Sequence, residues 1–260
     1  MIPPAAAMSA ARRERRTDMS ENRVALVTGA NKGIGKEIAR QLAQHGLRVF
    51  LGARDETRGT AAVKELLSQG LNVELLILDI ENIGSIRSAA DKLAAEVGRL
   101  DILINNAGAV YEYGAPSQSD PALLRKTFET NFFGAVSVTQ AMLPLLRKSD
   151  HKVIVNVSSG LGSLAQHSLP ESRNPTSINI LAYNSSKTAL NAFTVLLAKE
   201  LRPEGFRVNS VCPGYISTDL NEHRGPGTVE EGARISVRCA LAGPDGPTGC
   251  YLAEGGTLPW

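Results

Sequence analysis

From Arg23 onward, short runs of apolar and β-branched residues alternate with longer segments of helical periodicity. Near-continuous apolar runs are typical of strands that are buried on both faces of a parallel sheet. Such runs predict strands at 24–29, 49–53, 73–79, 102–107, 152–159 and 207–213, with a possible seventh at 250–255. Because strand, helix, strand repetition gives right-handed crossovers, the sequence predicts an α/β fold: a single doubly wound parallel sheet with helices on both faces.

No repeat or linker interrupts this alternation, which predicts one catalytic domain over residues 21–260. The first twenty residues are rich in Pro, Ala, Arg and Ser without periodicity, so we predict a disordered tail that contributes nothing to catalysis. An organelle-targeting segment and a true start at Met8 or Met19 remain alternatives for this stretch.

Composition excludes several classes of function. The net charge is only +2, and the basic run at 11–16 has no helical periodicity, so nucleic acid is not an expected partner. No window is long and apolar enough for a membrane span. The cysteines form no C-x-x-C and have few histidines near them, so we expect no metal site and a reduced, cytoplasmic location; they are Cys212, Cys239 and Cys250.

A glycine-rich loop follows the first predicted strand. In "TGANKGIG", Gly29, Gly33 and Gly35 open a helix, which permits a tight turn and close approach of the backbone to a pyrophosphate. An ordinary glycine-rich turn is the alternative interpretation.

A tyrosine and a lysine stand four residues apart in "LAYNSSKTALNAF". On a helix, Tyr183 and Lys187 would project from one face, about 6 Å apart along the axis. An ammonium group there could lower the pKa of the phenol and ease proton exchange. The spacing alone is also compatible with a packed tyrosine and a solvated lysine.

Several motifs in one order resemble the short-chain dehydrogenase/reductase family, from about Arg23 to the C-terminus. They are the glycine loop, "NNAG" at 105–108, "TNFFG", "NVSSGLG", the tyrosine and lysine, and "CPGYIST" at 212–218. The resemblance implies a Rossmann-type fold and a catalytic tetrad of Asn131, Ser159, Tyr183 and Lys187.

The resemblance also implies a role for each member of the tetrad. Ser159 and Tyr183 hold the carbonyl oxygen of the substrate, and Tyr183 supplies the proton as general acid. Lys187 lowers the tyrosine pKa and holds the nicotinamide ribose, while Asn131 bends its helix and holds a water that connects to the lysine. Ser158 competes with Ser159, which is preferred because neighbours on a strand face opposite ways and because the family places its serine three residues before a glycine.

A nicotinamide cofactor is then expected along the carboxyl edge of the sheet, with Asp79 a candidate for the adenine ring. The cofactor-binding residues that we predict are Gly29, Asn31, Lys32, Gly33, Ile34, Gly35, Arg54, Arg58, Asp79, Ile80, Asn106, Ala107, Gly108, Tyr183, Lys187, Pro213, Gly214, Ile216 and Thr218.

Ser159 and Tyr183 are 24 residues apart, about twice the separation in simple members of the family, which indicates an insert around 164–180. The insert, "GARDETRG" and the final "LPW" resemble the carbonyl reductase branch, which reduces ketones, aldehydes and quinones with NADPH. The insert is predicted to be a loop with at most a short helix beside the substrate entrance, and its His167 a solvated loop residue.

The end of the second strand bears on the choice of cofactor. A carboxylate about twenty residues past the glycine loop selects NAD, and Asp55 lies at that distance. The strand is predicted to end at Ala53, however, so Arg54 and, one turn later, Arg58 are better placed, with Lys32 as a third cation. Guanidinium groups suit a 2′-phosphate, and NADPH is the predicted cofactor.

We therefore predict an NADPH-dependent oxidoreductase that reduces a small-molecule carbonyl compound or, in reverse, oxidises an alcohol. An NAD-dependent alcohol dehydrogenase and a non-catalytic nucleotide-binding sensor of the same fold are the alternatives. The sequence leaves open whether the protein is a monomer or a homo-oligomer.

Overall fold

A computed structural model describes residues 23–169 and 180–260. One eight-stranded sheet runs through it in the order β3-β2-β1-β4-β5-β6-β7-β8. Neighbouring strands from β3 to β7 are parallel, and β8 pairs antiparallel with β7. The strands are β1 (Val24–Thr28), β2 (Arg48–Ala53), β3 (Val73–Ile77), β4 (Ile102–Asn105), β5 (Val153–Val157), β6 (Arg207–Val211), β7 (Tyr251–Ala253) and β8 (Gly256–Thr257).

Helices cover both faces of the sheet. They are α1 (Gly33–Gln44), α2 (Glu56–Leu67), α3 (Ile83–Glu96), α4 (Pro121–Phe128), α5 (Gly134–Leu146), α6 (Leu164–His167), α7 (Leu181–Leu201) and α8 (Val229–Leu241). One buried apolar cluster joins α1, α2 and α8 to the sheet, and a second joins α3, α5 and α7 to it. The doubly wound parallel sheet predicted from the sequence is confirmed, including the seventh strand.

The strand order reverses between β1 and β4, which are hydrogen-bonded neighbours at the centre of the sheet. Every residue of β1, β4 and β5 is buried, because helices pack on both sides of these strands. In a sheet of this kind, ligands bind beyond the carboxyl ends of the strands at the point of reversal. The loops after β1, β4, β5 and β6 therefore define where a ligand is expected.

The predicted tail, residues 1–20, lies outside the described residues, as do positions 170–179 of the predicted insert. His167 was predicted to be a solvated loop residue, and this is wrong. It ends α6 and is part-buried, with Nε2 3.0 Å from the Leu161 carbonyl oxygen. Among the described residues, no helix is long and apolar enough to cross a membrane. All three cysteines are free thiols.

Candidate active site

The glycine loop between β1 and α1 forms one wall of a cleft. Gly29 and Gly33 have φ values of +61° and +57°, which L-residues with a side chain rarely adopt. Gly35 has no room for a side chain, because a Cβ there would lie 2.3 Å from Asn106 Nδ2. Helix α1 begins at Gly33 with no side-chain cap from Lys32 and no acidic residue in its first turn. Its positive end is thus open to an anion.

The motif after β4 fastens this loop to the sheet. The backbone N–H groups of Asn106 and Ala107 both donate to Thr28 Oγ1 at 3.0 Å, and Asn106 Nδ2 donates to the Thr28 carbonyl oxygen at 2.9 Å. Asn105 Nδ2 donates to Thr139 and Asn156, joining β4 to α5 and β5. These buried amide contacts fix the central strand ends around the cleft.

Ser159 and Tyr183 meet at the floor of the cleft. Ser159 follows the end of β5, and Tyr183 lies in the first turn of α7. The Ser159 hydroxyl lies beside the Tyr183 phenol, close enough for hydrogen bonding to act on the Tyr183 pKa, and Ser159 Oγ accepts from the Leu161 N–H at 3.3 Å. Ser158, the competing serine, is buried, and its side chain acts on the pKa of Tyr251 and not on that of Tyr183. The structure therefore brings Ser159, and not Ser158, into contact with Tyr183.

Lys187 lies one turn after Tyr183 and is 3% exposed. Its Nζ donates to the Val157 carbonyl oxygen at 2.8 Å and lies 5.6 Å from the centre of the Tyr183 ring. Burial lowers the pKa of Lys187 to about 8. The same cause raises the pKa of Tyr183 to about 12, although the hydrogen bond from Ser159 acts in the opposite direction.

The spacing of Tyr183 and Lys187 predicted that the ammonium group lowers the phenol pKa. Burial outweighs any such effect in this structure, because the phenol pKa is raised overall. Desolvation of the phenolate is the largest cause, and the ammonium group is directed toward the Val157 carbonyl.

Asn131 lies in a π-helical turn, Glu129–Phe133, between α4 and α5. Its Oδ1 accepts from the Ala109 N–H at 2.8 Å, and its Nδ2 donates to the Ala109 carbonyl oxygen at 2.9 Å and to Ser186 Oγ at 3.0 Å. Asn131 thus interrupts the α-helix, as predicted, and its side chain anchors the loop after β4 to α7.

The cleft has a volume of about 950 Å³. Its walls include nearly every predicted site residue: Gly29, Asn31, Lys32, Gly33, Ile34, Gly35, Arg54, Asp79, Ile80, Asn106, Ala107, Gly108, Ser159, Tyr183, Lys187, Pro213, Gly214, Ile216 and Thr218. Two predicted residues, Asn131 and Arg58, do not line it. Among the described residues, no cluster of three or more His, Cys, Asp or Glu side chains could hold a metal ion.

Charged residues surround the end of the cleft beside β2. Arg54, directly after the strand, lines the cleft. Asp55 caps α2 by accepting from the Arg58 N–H at 2.9 Å, and its carboxylate lies 3.5 Å from Arg58 Nε. Arg58 was predicted to contact the cofactor; its side chain is exposed, pairs with Asp55 and is not among the residues that line the cleft. Lys32, on the opposite wall, forms an exposed ion pair with Asp219, 2.6 Å apart.

A family model described as short chain dehydrogenase matches residues 23–228 of this chain. The chain belongs to this family. It is therefore an oxidoreductase of the short-chain dehydrogenase type, a family that binds a nicotinamide cofactor and acts on small molecules.

Relatives of this short-chain dehydrogenase include several reductases. It is 38% identical to a (+)-neomenthol dehydrogenase of Arabidopsis thaliana, covering 89% of this chain and 96% of the relative. It is 37% identical to carbonyl reductase [NADPH] 3 of Rattus norvegicus, and the match covers 86% of this chain and 92% of the relative.

Solved structures agree with the fold. Salutaridine reductase from Papaver somniferum has a TM-score of 0.76 and 34% identity, covering 89% of this chain and 99% of that one. An NADPH-bound carbonyl reductase from chicken fatty liver has a TM-score of 0.81 and 26% identity, covering 92% and 99%.

The sequence analysis of this dehydrogenase missed residues that reach the cleft from distant loops. Tyr113 and Tyr215 line it, and the Tyr113 hydroxyl donates to the Leu220 carbonyl oxygen at 2.8 Å, which joins the loop after β4 to the loop after β6. No local periodicity marks such contacts, because they join loops more than a hundred residues apart.

Proposed function

We propose that this protein transfers a hydride from NADPH to the carbonyl carbon of a ketone, aldehyde or quinone, with Tyr183 as general acid. The observation that carries this proposal is the hydroxyl pair of Ser159 and Tyr183 on the floor of the cleft. Both hydroxyl groups can donate to one carbonyl oxygen, and this stabilises the negative charge that develops there.

Tyr183 carries the proton that carbonyl reduction needs. A phenol with a pKa of about 12 is protonated at neutral pH, so it can donate that proton to a developing alkoxide. In the reverse reaction, oxidation of an alcohol, the same oxygen would act as the base.

The residues around the cleft suit a dinucleotide. The open N-terminus of α1 fits a pyrophosphate, and Lys187 is within the cleft to hold the nicotinamide ribose. When bound, the cofactor supplies the hydride. The chain positions the substrate, donates the proton and excludes water.

The charges near β2 support NADPH over NADH. Arg54 lines the cleft and offers paired N–H donors to a 2′-phosphate. Asp55, which an NAD enzyme would use for the ribose 2′-hydroxyl, accepts the N-cap hydrogen bond of α2. A cytoplasmic location remains a prediction that accompanies this proposal.

Oxidation of NADPH and NADH, followed side by side with a panel of ketones, aldehydes and quinones, tests the proposal. We expect carbonyl-dependent oxidation that is faster with NADPH at equal subsaturating concentrations. Equal or better use of NADH would refute the cofactor assignment and favour Asp55 as the ribose ligand. Nucleotide binding without turnover on any carbonyl or alcohol would favour a non-catalytic sensor.

A further inference from the structure

The peptide unit that follows Ser159 is held by one side chain from β7 and by one from the residue directly after β6. The Ser159 carbonyl oxygen accepts from the Tyr251 hydroxyl and from the Gly162 N–H, the latter at 2.7 Å. On the other side of the same peptide, the Gly160 N–H donates to Cys212 Sγ at 3.1 Å. The orientation of this peptide is therefore fixed from both ends.

Tyr251 is the most deeply placed member of this arrangement. It lies in β7, is fully buried, and is not part of the cleft wall. Burial raises the pKa of Tyr251 strongly, so its hydroxyl keeps its proton near neutral pH, although the neighbouring Ser158 and Asn191 side chains act to lower this pKa.

Trp260 holds the Tyr251 ring from the outside. The two rings are stacked, with centroids 5.4 Å apart and planes 18° from parallel. The Trp260 carbonyl oxygen accepts from the Ala165 N–H at 2.8 Å, and Ser163 Oγ donates to the Pro259 carbonyl oxygen at 2.7 Å. The segment 258–260 thus connects Tyr251 to the turn that follows Ser159.

We propose that Tyr251 is a positioning residue that aims the Ser159 hydroxyl at Tyr183 and at the substrate carbonyl. This inference rests on the proposed carbonyl reduction. The main-chain direction at Ser159 determines where its short side chain points, since one rotatable bond separates Oγ from the backbone. A displacement of this hydroxyl by about 1 Å is enough to lower a reaction rate substantially.

The test is a double-mutant cycle of Tyr251→Phe and Ser159→Ala, measured by single-turnover hydride transfer with enzyme in excess. Phe keeps the ring and its stacking on Trp260 and removes only the hydroxyl. We expect Tyr251→Phe to slow hydride transfer about tenfold, with KM for NADPH changed by less than about twofold. In the Ser159→Ala background, the same substitution should slow transfer by no more than about twofold.

An equal loss in both backgrounds would show that Tyr251 acts on the fold and not through Ser159, and no loss in the native background would overturn the inference as well. Trp260→Leu provides a second variant, because it removes the stacking and keeps the Tyr251 hydroxyl. We expect Trp260→Leu to slow hydride transfer in the native background and to have no further effect in the Ser159→Ala background. Activity of the unsubstituted protein, measured in the same assay, separates these outcomes from failure of the proposed function.

Discussion

Lys187 carries a charge in a place that water hardly reaches. Its one described hydrogen bond, to the Val157 carbonyl oxygen, satisfies one of three N–H donors. Its pKa of about 8, below the ordinary value of 10.5, reflects the free energy that desolvation of the ammonium group costs. A lysine that is buried for function in this way lowers the stability of the folded chain at neutral pH.

We predict that Lys187→Met abolishes activity and raises the free energy of unfolding at pH 7. The pKa shift corresponds to about 3 kcal/mol, and loss of the hydrogen bond offsets about 1 kcal/mol of it. Lys187 binds its proton more tightly in the unfolded chain than in the folded one. Its destabilising effect on the native protein is therefore greatest below pH 8 and disappears toward pH 10.5. Urea unfolding of the native protein and of Lys187→Met at pH 7 and pH 10 measures the two free energies of unfolding. A Lys187→Met protein that is less stable than the native protein at pH 7 would contradict the prediction.

Tyr183→Phe removes the proton donor with almost no change in volume. We predict a loss in kcat of about 10²-fold or more, because a general acid contributes at least that much. Affinity for the cofactor should stay within about threefold, since the proposed adenine, pyrophosphate and 2′-phosphate contacts are elsewhere. Steady-state kinetics and fluorescence titration with NADPH provide both values. A variant that kept more than about a tenth of the native rate would exclude Tyr183 as the acid.

The sequence indicated which residues to expect at the site but not their environment. Strand alternation selected Ser159 over Ser158, and in the structure it is Ser159 that acts on the Tyr183 pKa. The spacing of Tyr183 and Lys187 could not reveal that both side chains are buried, and burial is what sets both pKa values. Tyr251 gave no sequence signal, because its contact with Ser159 crosses 92 positions of the chain.

At the scale of elements, the junction between β2 and α2 determines the charge that faces the cofactor. The sequence predicted that β2 ends at Ala53, and it does. It did not reveal that Asp55 caps α2, although Asp is a favoured N-cap residue. One Asp55 oxygen accepts the cap hydrogen bond and the other lies 3.5 Å from Arg58 Nε, whereas Arg54 lines the cleft.

A pair of substitutions at this junction tests the assignment of Arg54. We predict that Arg54→Gln raises KM for NADPH about tenfold or more, the order expected when a charge-assisted hydrogen bond is lost, and leaves KM for NADH within about twofold. Arg58→Gln is the matched control and should change KM for NADPH less than Arg54→Gln does. Larger effects at Arg58 would show that its side chain leaves Asp55 when the cofactor binds.

The π-helical turn Glu129–Phe133 was predicted from the sequence only as a bend. Asn is a poor helix former, which predicted a bend at Asn131. The type of turn depends on a partner that sequence does not show: Asn131 binds both backbone groups of Ala109 and reaches Ser186.

For the molecule as a whole, the edge of the sheet opposite the cleft holds a cluster of buried and half-buried titratable side chains. His151 lies between two guanidinium groups, with Arg23 Nη1 3.2 Å from Nε2 and Arg207 Nη2 3.3 Å from Nδ1. Its Nε2 also lies 2.8 Å from the Ala240 carbonyl oxygen. Burial and the two arginines lower the pKa of His151, and the hydrogen bond to the Ala240 carbonyl and the carboxylate of Asp101 oppose them in part.

This cluster predicts that stability falls in mild acid. As pH drops through about 6.5, the unfolded chain takes up a proton at His151 that the folded chain resists, so unfolding is favoured by up to about 1.4 kcal/mol per pH unit. His151→Gln should make the free energy of unfolding depend less on pH between pH 7 and pH 5. His45→Gln, at an exposed position, is the control and should leave it unchanged. Parallel slopes for the native protein and His151→Gln would rule the mechanism out.

The strand order also sets the sequence of events while the chain is being synthesised. The partner of β1 on one side, β2, follows it closely in the sequence, but its partner on the other side, β4, begins only at Ile102. The last walls of the cleft, residues 212–224 and 229–230, follow β6, so the ligand-binding edge is incomplete until more than four-fifths of the chain exists. Nucleotide bound in the cleft stabilises only a chain that has formed that edge. Until then, the nascent protein must keep its apolar strands from aggregating without help from its own ligand.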